Sequence, residues 1–443
     1  KKGSFFWVFI WGLSVVIITL IWISIIWQMS WIKFDLSNVP ELGNFKLNLT
    51  PTKKETTDIK STDWKTNILI VWRWWDENDA PNLTDTIMIA SLDIKEKTIS
   101  MFSIPRDLYV NYPTWGYWKI NATYPYALKQ NKNDEKAWME VFEWLLEKIT
   151  WEKIHYYVNM DFEWFRQIID TVWWVEINVP ETIVDTSYPW KNHTYTVFRV
   201  NAWLQKMSWA TALKYARSRH STSDFDRALR QQLIISAIRE KALSLWIITS
   251  PSKMKWIYDV LKTHINSDLD ISQMINLALF AKDIPKENIV NSNLNDTCLW
   301  LTICEKWGLL YVPNREEFGW ASILLQVWWT KYNPNNYKEI NKYTNIVFNF
   351  PQVYSENLKI NIFNSTKVNW LASDIASELK KYGFNIPKNN YSWNTSWDKY
   401  EKSVILYYSP DWKKPKTVEA LEEFVFGWSK AITTLHKYSS DPE

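Results

Sequence analysis

Between Gly3 and Ile32 no residue is charged, and Phe5, Phe6, Val15, Val16, Ile17, Ile18, Leu20, Ile21, Ile25 and Ile26 make the stretch apolar through its middle. A bilayer needs roughly 20 such residues, whereas the apolar part of a cleaved signal peptide is about 7–15 residues and ends in small residues at a cleavage site. The run is longer than that and no such site follows, so one transmembrane helix is predicted over residues 4–28. Lys1 and Lys2 precede it, and positive charge stays on the cytoplasmic side. The expectation is therefore a single-pass protein of the cell membrane, with a cytoplasmic stub at 1–3 and the rest of the chain extracytoplasmic. Residues 29–63 are polar, with Pro40, Pro51 and a Lys/Thr-rich stretch, and read as a juxtamembrane linker.

Beyond the linker the hydrophobic period alternates between that of strands and that of helices. Asn67 to Val71 is a short strand of the buried type, and Thr86 to Leu92 with Thr98 to Ile104 form a hairpin around Ile94-Lys95-Glu96-Lys97. A helix from about Asp134 to Ile149 sets Val141, Leu145 and Ile149 on one face. Strand Ile154–Val158, helix Asp161–Thr171, strand Val175–Val179, helix Lys206–Tyr215 and a long helix from Asp224 to Leu243 follow. Helical patterns recur around Met254–Leu261 and Ile271–Leu279, and Pro313 and Asn333-Pro334-Asn335-Asn336 mark loops. From Leu358 a second pattern begins: strand to Phe363, helix Leu371–Tyr382, strand Val404–Tyr408, helix Val418–Val425. Strands interleaved with helices predict an α/β fold, a layered α-β-α domain around a central mixed sheet, with a small C-terminal α/β domain. Some 400 residues outside the membrane also exceed what one core usually holds.

Composition changes this picture at one point. The chain has 32 Trp and only 8 Gly among 443 residues, whereas ordinary proteins carry about 7% Gly. The Trp fall where a chain needs a left-handed turn or no side chain: Asp63-Trp64, Trp74-Trp75 after a strand, Trp115 beside Gly116, Trp173-Trp174 at a helix end, Asp411-Trp412. The expectation is that most are glycines from a gene in which UGA encodes Gly but was translated as Trp. A Trp-rich binding surface would instead place the indoles on alternating strand positions, and they are not there. The net charge of +3 does not suggest a nucleic-acid partner, and Cys298 and Cys304, close in sequence, are expected to close a small disulfide loop outside the membrane.

The densest chemistry lies between Lys214 and Gln232. Arg217 and Arg219 are two apart, so an extended segment aims both guanidinium groups the same way, and Arg227 and Arg230 follow on a helix whose start Ser223 or Asp224 can cap. On that helix Arg227 is one turn from Gln231, and Arg230 one turn from Asp226. Four arginines beside a helix N-terminus suit bidentate phosphate recognition. The bland alternative is a solvated basic helix face. A second cluster, Leu83-Thr84-Asp85-Thr86, stands just before a strand with Asp79 in the same loop; loop carboxylates beside a diphosphate are a usual way to hold Mg²⁺. A third is Ser103-Ile104-Pro105-Arg106-Asp107 at a strand end, with Lys119-Ile120-Asn121 supplying further donors.

Taken in order, Leu-Thr-Asp-Thr, Ser-Ile-Pro-Arg-Asp, Lys-Ile-Asn, Asp161-Phe162-Glu163-Trp164-Phe165, Trp173-Trp174-Val175 and Ala-Arg-Ser-Arg…Ser-Asp-Phe-Asp-Arg…Arg-Gln resemble the LytR-CpsA-Psr family of cell-wall glycopolymer ligases, with a motif core at 67–242. The resemblance implies a catalytic domain at 64–335, a linker at 336–356 and, at 357–443, the C-terminal domain often attached to such proteins. The family pattern has Gly where this chain has Trp72, Trp74, Trp75, Trp164, Trp173, Trp174, Trp203 and Trp209, and many members carry an aspartate near the position of Arg73. It also implies transfer of a glycopolymer from a polyprenyl-diphosphate-linked glycan to a peptidoglycan acceptor at the membrane lipid surface. Mg²⁺ would sit on Asp85, with Asp79 as a second ligand. Arg106, Arg217, Arg219 and Arg227 would stabilise the charge, with Arg230 and Gln231 orienting them and Lys119 and Asn121 contacting substrate. Asp224 and Asp226 are candidates for the base, and Leu145, Leu146, Ile168 and Ile169 for a lipid groove. Alternatives are a pyrophosphatase working at the same site and a non-catalytic envelope-binding or regulatory protein.

Overall fold

The computed structural model describes residues 59–73, 83–131, 134–171, 173–189, 194–218, 224–244, 264–294, 309–327, 329–330, 332–387, 393–394, 403–408, 413–426 and 432–437. The predicted membrane span, the Met254–Leu261 helix and both cysteines lie outside these residues. Among the described residues no helix is long and apolar enough to cross a membrane.

Strands β1 (Lys65–Arg73), β2 (Thr84–Asp93) and β3 (Thr98–Ile104) are the centre of the molecule. β1 pairs antiparallel with β2 and β2 antiparallel with β3. The hairpin β4 (Tyr109–Tyr112) and β5 (Gly116–Lys119) follows. Strand β6 (Tyr156–Asp161) lies parallel to β1 on its other side, so the sheet is mixed. Next come β7 (Val175–Val179), β8 (Ile183–Pro189), β9 (Tyr195–Val200) and β10 (Trp203–Met207), paired as β7–β10 and β8–β9. Strand β11 (Ile265–Ser267) flanks β6, and β12 (Ile289–Asn293) runs parallel to β3, giving the order β11-β6-β1-β2-β3-β12.

Alternation along the strands decides what each face packs against. Leu69 and Val71 of β1, Ile87 and Ile89 of β2, and Phe102 and Ile104 of β3 face the helices Glu135–Thr150 and Lys338–Asn349, through Phe142, Leu145, Leu146, Ile346 and Val347. Their neighbours Ile68, Met88, Ala90, Ile99 and Met101 face the other way, against the helix Ile271–Lys282 and the Ile235 side of the helix Asp224–Ser244. Helices on both faces of a mixed sheet are the layered architecture expected from the sequence. A third cluster joins β7 to β10 and the helices Phe162–Thr171 and Trp209–Arg217 around Ile177, Phe198 and Tyr215.

Several local expectations are corrected. The helix expected from Lys206 begins only at Trp209, because Lys206 and Met207 extend β10 against Glu176 and Val175. The strand expected at Leu358–Phe363 is reduced to Phe363–Asn364. Interval 336–356 holds the helices Lys338–Asn349 and Gln352–Glu356, and Ile340, Tyr343 and Val353 are buried there. The C-terminal residues Ala376, Leu379, Tyr382 and Leu421 belong to the same hydrophobic cluster as Leu69, so this stretch shares a core with the sheet. Leu145, Leu146 and Ile169 are at most 1% exposed and Ile168 8%, so they are core and not the lining of an open groove.

Among the described residues nine non-glycine residues have positive φ: Asp63, Trp64, Lys97, Trp151, Trp173, Trp203, Trp320, Asn357 and Trp370. Lys97 turns the β2–β3 hairpin and Asn357 ends a helix, the ordinary uses of such a conformation. For an L side chain the left-handed region costs about 1–2 kcal/mol.

Candidate active site

The charged residues gather where β1 and β3 end and β2 begins. Asp85, the second residue of β2 at the register shift between the Trp72–Thr86 and Arg73–Thr84 pairs, receives a charge-assisted hydrogen bond from Arg106 Nη1, just past β3. Both side chains are largely buried, at 15% and 21% exposed, so the pair is weakly screened. Arg106 Nε also approaches Asp107 at 3.9 Å, and Lys119 Nζ donates to Asp107 Oδ1 at 2.8 Å. The result is an alternating row, Asp85, Arg106, Asp107, Lys119. Asn121, 5% exposed, lies in the short turn after β5, where its backbone N–H donates to Arg106 O at 3.2 Å. Lys119 and Asn121 thus steady the Arg106 segment.

The helix Asp224–Ser244 crosses this end of the sheet. Arg227, 6% exposed, donates from Nη2 to the backbone carbonyl of Asp85 at 3.3 Å. One turn later Gln231 accepts from Thr86 Oγ1 at 2.9 Å, and Gln232, fully buried, donates to Ser103 Oγ at 2.9 Å and Ser292 O at 2.8 Å. These contacts lock helix, β2, β3 and β12 together, so Arg227 is held on rigid elements. Arg230 turns the other way: Nε donates to Tyr215 O at 2.9 Å and Nη2 to Ser218 O, which satisfies carbonyls at the end of the helix Trp209–Arg217. It is a positioning residue for the segment that carries Arg217.

Arg217 is half-buried, with its guanidinium 5.9 Å from the centre of the Tyr188 ring. Burial pushes the Tyr188 hydroxyl up from its ordinary pKa, and Arg217 pulls it back. Asp185, fully buried, accepts from Ser218 Oγ at 2.7 Å, which ties the β8–β9 hairpin to the residue after Arg217. Arg219 and Asp79 lie outside the described residues. Asp224 and Asp226 fall in the first turn of their helix, and their side chains lie outside the described residues.

Two features were not foreseen. Arg73, 3% exposed, ends β1 in an ion pair with Glu135 at 3.2 Å and under the rings of Tyr124 and Trp138, at 4.4 and 5.3 Å from their centres. The Asp185–Ser218 contact was the other. Neither partner set is local in sequence, so no motif or spacing announced it. Among the described residues no three His, Cys, Asp or Glu side chains gather to hold a metal ion. Asp85 offers one carboxylate beside guanidinium groups, with Asp107 on the other side of Arg106. That suits a cation completed by ligand oxygens and water, since Mg²⁺ commonly takes one or two carboxylates plus phosphate.

A model of the LytR-CpsA-Psr family matches residues 43–313, more than half of the chain, and one described as LytR cell envelope-related transcriptional attenuator matches 357–424. Among known proteins, the chain is 28% identical over 228 residues to the polyisoprenyl-teichoic acid–peptidoglycan teichoic acid transferase TagU of Oceanobacillus iheyensis, covering 51% of this chain and 65% of that protein. It is 28% identical over 199 residues to the regulatory protein MsrR of Staphylococcus aureus, covering 44% of this chain and 54% of the relative. With the teichoic acid transferase TagT of Bacillus subtilis it shares 26% over 197 residues, 44% of this chain and 56% of that one. The chain thus spans less than two thirds of the length of each. Among solved structures, Bacillus subtilis TagV aligns at 18% identity with a TM-score of 0.45, covering 66% of this chain and 99% of that one. The two matched models and the order of the motifs on this sheet place the chain in the LytR-CpsA-Psr family.

Proposed function

We propose that the protein is a membrane-anchored phosphotransferase that moves a glycopolymer from a polyprenyl-diphosphate carrier to a peptidoglycan hydroxyl outside the cell. The observation that carries the reading is the convergence of Arg106 and Arg227 on Asp85 at one end of the sheet. The names of the relatives TagU and TagT support it. In the reaction the acceptor oxygen forms a new bond to the glycan-side phosphorus, the bridging P–O bond breaks, and polyprenyl phosphate leaves with the bridging electrons. The hydroxyl proton passes to a base, for which Asp224 and Asp226 are the candidates.

Charge grows on the equatorial and leaving oxygens in such a transfer, and catalysis is chiefly positioning and electrostatic stabilisation. Arg106, Arg217, Arg219 and Arg227 would meet that charge as forked donors, and Arg106 would turn from Asp85 to the diphosphate as substrate enters. Lys119, through Asp107, and Gln231, through Thr86, hold this array in place. Asp85, with Asp79, would hold Mg²⁺, which supplies neutralisation of the diphosphate.

The test uses full chain purified from its native membranes, a polyprenyl-diphosphate-linked glycan in detergent, and isolated peptidoglycan, with and without Mg²⁺ and EDTA. Wall-bound phosphoglycan and released polyprenyl phosphate are expected together, and Arg217→Ala should abolish both. Release of free phosphoglycan without wall attachment would make the protein a pyrophosphatase. An Arg217→Ala chain that complements a deletion strain fully would support the regulatory reading that the name MsrR suggests.

A further inference from the structure

The six tryptophans that adopt positive φ share more than a dihedral angle. Trp64 (φ 67°), Trp151 (60°), Trp173 (66°), Trp203 (103°), Trp320 (64°) and Trp370 (65°) make up two thirds of the nine non-glycine residues of this kind among the described residues. Tryptophan is 32 of 443 residues, so an even draw would put fewer than one among nine. Residues that tolerate this region are Gly, Asn and Asp, and a bulky side chain there is an outlier.

Such an outlier persists when packing compensates it. Here none does: the six indoles are between 66% and 80% exposed. Their backbones, meanwhile, do glycine's work. Trp151 occupies the left-handed position that ends the helix Glu135–Thr150, its N–H donating to Glu147 O at 2.8 Å. Trp173 closes a turn after the helix Phe162–Thr171, donating to Asp170 O at 3.1 Å. Trp64 sits in the tight turn in which Thr62 and Lys65 exchange backbone hydrogen bonds at 2.9 Å. Trp320 directly follows Gly319, itself left-handed at 61°, and Trp370 precedes the helix Leu371–Lys381. Trp203 opens β10 at 103°, outside the left-handed helical well, in a region that essentially glycine alone visits.

From this we infer that residues 64, 151, 173, 203, 320 and 370 are glycine in the protein as its own cell makes it, encoded by UGA codons that the written sequence renders as Trp. UGA is one base from the Trp codon UGG and one base from the Gly codon GGA, so a single reassignment accounts for a glycine deficit and a tryptophan excess together. A binding surface of true tryptophans does not account for the positions, because the six are scattered over helix ends and turns on separate elements.

Peptide mass spectrometry of the full chain from its native cells reads the six positions directly, and the gene's codons are read beside it. Glycine at UGA codons is the expected result; tryptophan at the six positions, or UGG codons there, overturns the inference. A second measurement compares two recombinant chains, as written and with Trp64→Gly, Trp151→Gly, Trp173→Gly, Trp203→Gly, Trp320→Gly and Trp370→Gly together. The substituted chain should melt at a higher temperature and show less aggregation. An equal or lower melting temperature would count against the glycine assignment independently of the protein source.

Discussion

The two ends of β1 hold different kinds of polar chemistry. At the Arg73 end, guanidinium groups and carboxylates pair with one another: Arg73 with Glu135, and Arg106 with Asp85 and Asp107. At the Lys65 end lies a cavity of about 570 Å³, lined among others by Thr62, Lys65, Asn67, Glu152, Lys342 and Asn349. Lys65, 8% exposed, contacts Asn349 and stands 3.8 Å from Glu152, while Lys342 pairs with Glu339 at 3.0 Å. Burial raises the Glu152 carboxyl above its ordinary range, against the pull of Lys65. With nine residues in β1 and a rise of about 3.3 Å per step, the two ends are roughly 26 Å apart. Volume does not mark the chemistry: the Lys65 end joins amides, ammonium groups and acids that serve one another, and the Arg73 end interleaves guanidinium groups with Asp85, Asp107 and Glu135.

The sharpest test of that contrast is Arg106→Ala, expected to lower transfer about 10²–10³-fold, the usual consequence of removing one charge-stabilising donor. Measured in the same assay, an Asn349→Ala chain should be within twofold of the parent; a comparable loss at both ends would erase the distinction. Next in size is Glu135→Ala, which removes the Glu135 carboxylate from the buried Arg73 guanidinium. Breaking a fully buried pair costs about 3–5 kcal/mol, and because Glu135 keeps 30% of its exposure a loss of roughly 1–3 kcal/mol is expected in urea unfolding.

A smaller effect comes from Glu143, whose carboxyl is pushed up to about 7 by burial first and then by Asp268 and Glu147. A carboxyl raised on folding binds its proton more tightly in the native state. The folded protein should therefore lose stability as pH rises from the ordinary carboxylate range through about 7. Glu143→Gln should flatten that part of the stability profile, measured by denaturant midpoints across pH; an unchanged slope would assign it to other groups. Least affected should be the stability of the Asn349→Ala chain, lowered by about 1 kcal/mol as the side-chain hydrogen bonds to Lys65 and Asn345 give way to water.

Much of the frame was legible because alternation and helical period are local signals. The hairpin read at 86–92 and 98–104 is β2 and β3, and the helix read from Asp134 is Glu135–Thr150, with Asp134 capping it through Lys136 N at 3.1 Å. Elements were missed where the signal depended on a distant partner. β8 and β9 alternate in burial, but the residue types conceal it, because Asp185 is buried while Val184, Tyr195 and Val197 are exposed, and the helix Lys338–Asn349 is polar enough, after Asn333-Pro334-Asn335-Asn336, to resemble a loop. Its Ile340, Tyr343 and Val347 lie one turn apart and are buried against the sheet. In the site, Asp85 and Arg106 stood out by motif, and the structure joins them. Arg230 looked like another phosphate ligand because sequence shows a guanidinium and not where it points; its donors go to Tyr215 O and Ser218 O. Arg73 was read only as a departure, since Glu135, Tyr124 and Trp138 reach it from other elements.

The parallel pairing of β3 with β12 has a consequence for how the chain is made. On the edge away from β2, Ile99 finds its partner only at Ile289, and all seven residues of β3 are buried in the finished sheet. A ribosome delivers β3 long before β12, so during synthesis an apolar strand waits with one row of backbone N–H and C=O groups open. Open strand edges recruit other chains, and distant pairings form slowly. The interval between the emergence of residue 104 and residue 289 is thus the window in which this protein most needs a chaperone.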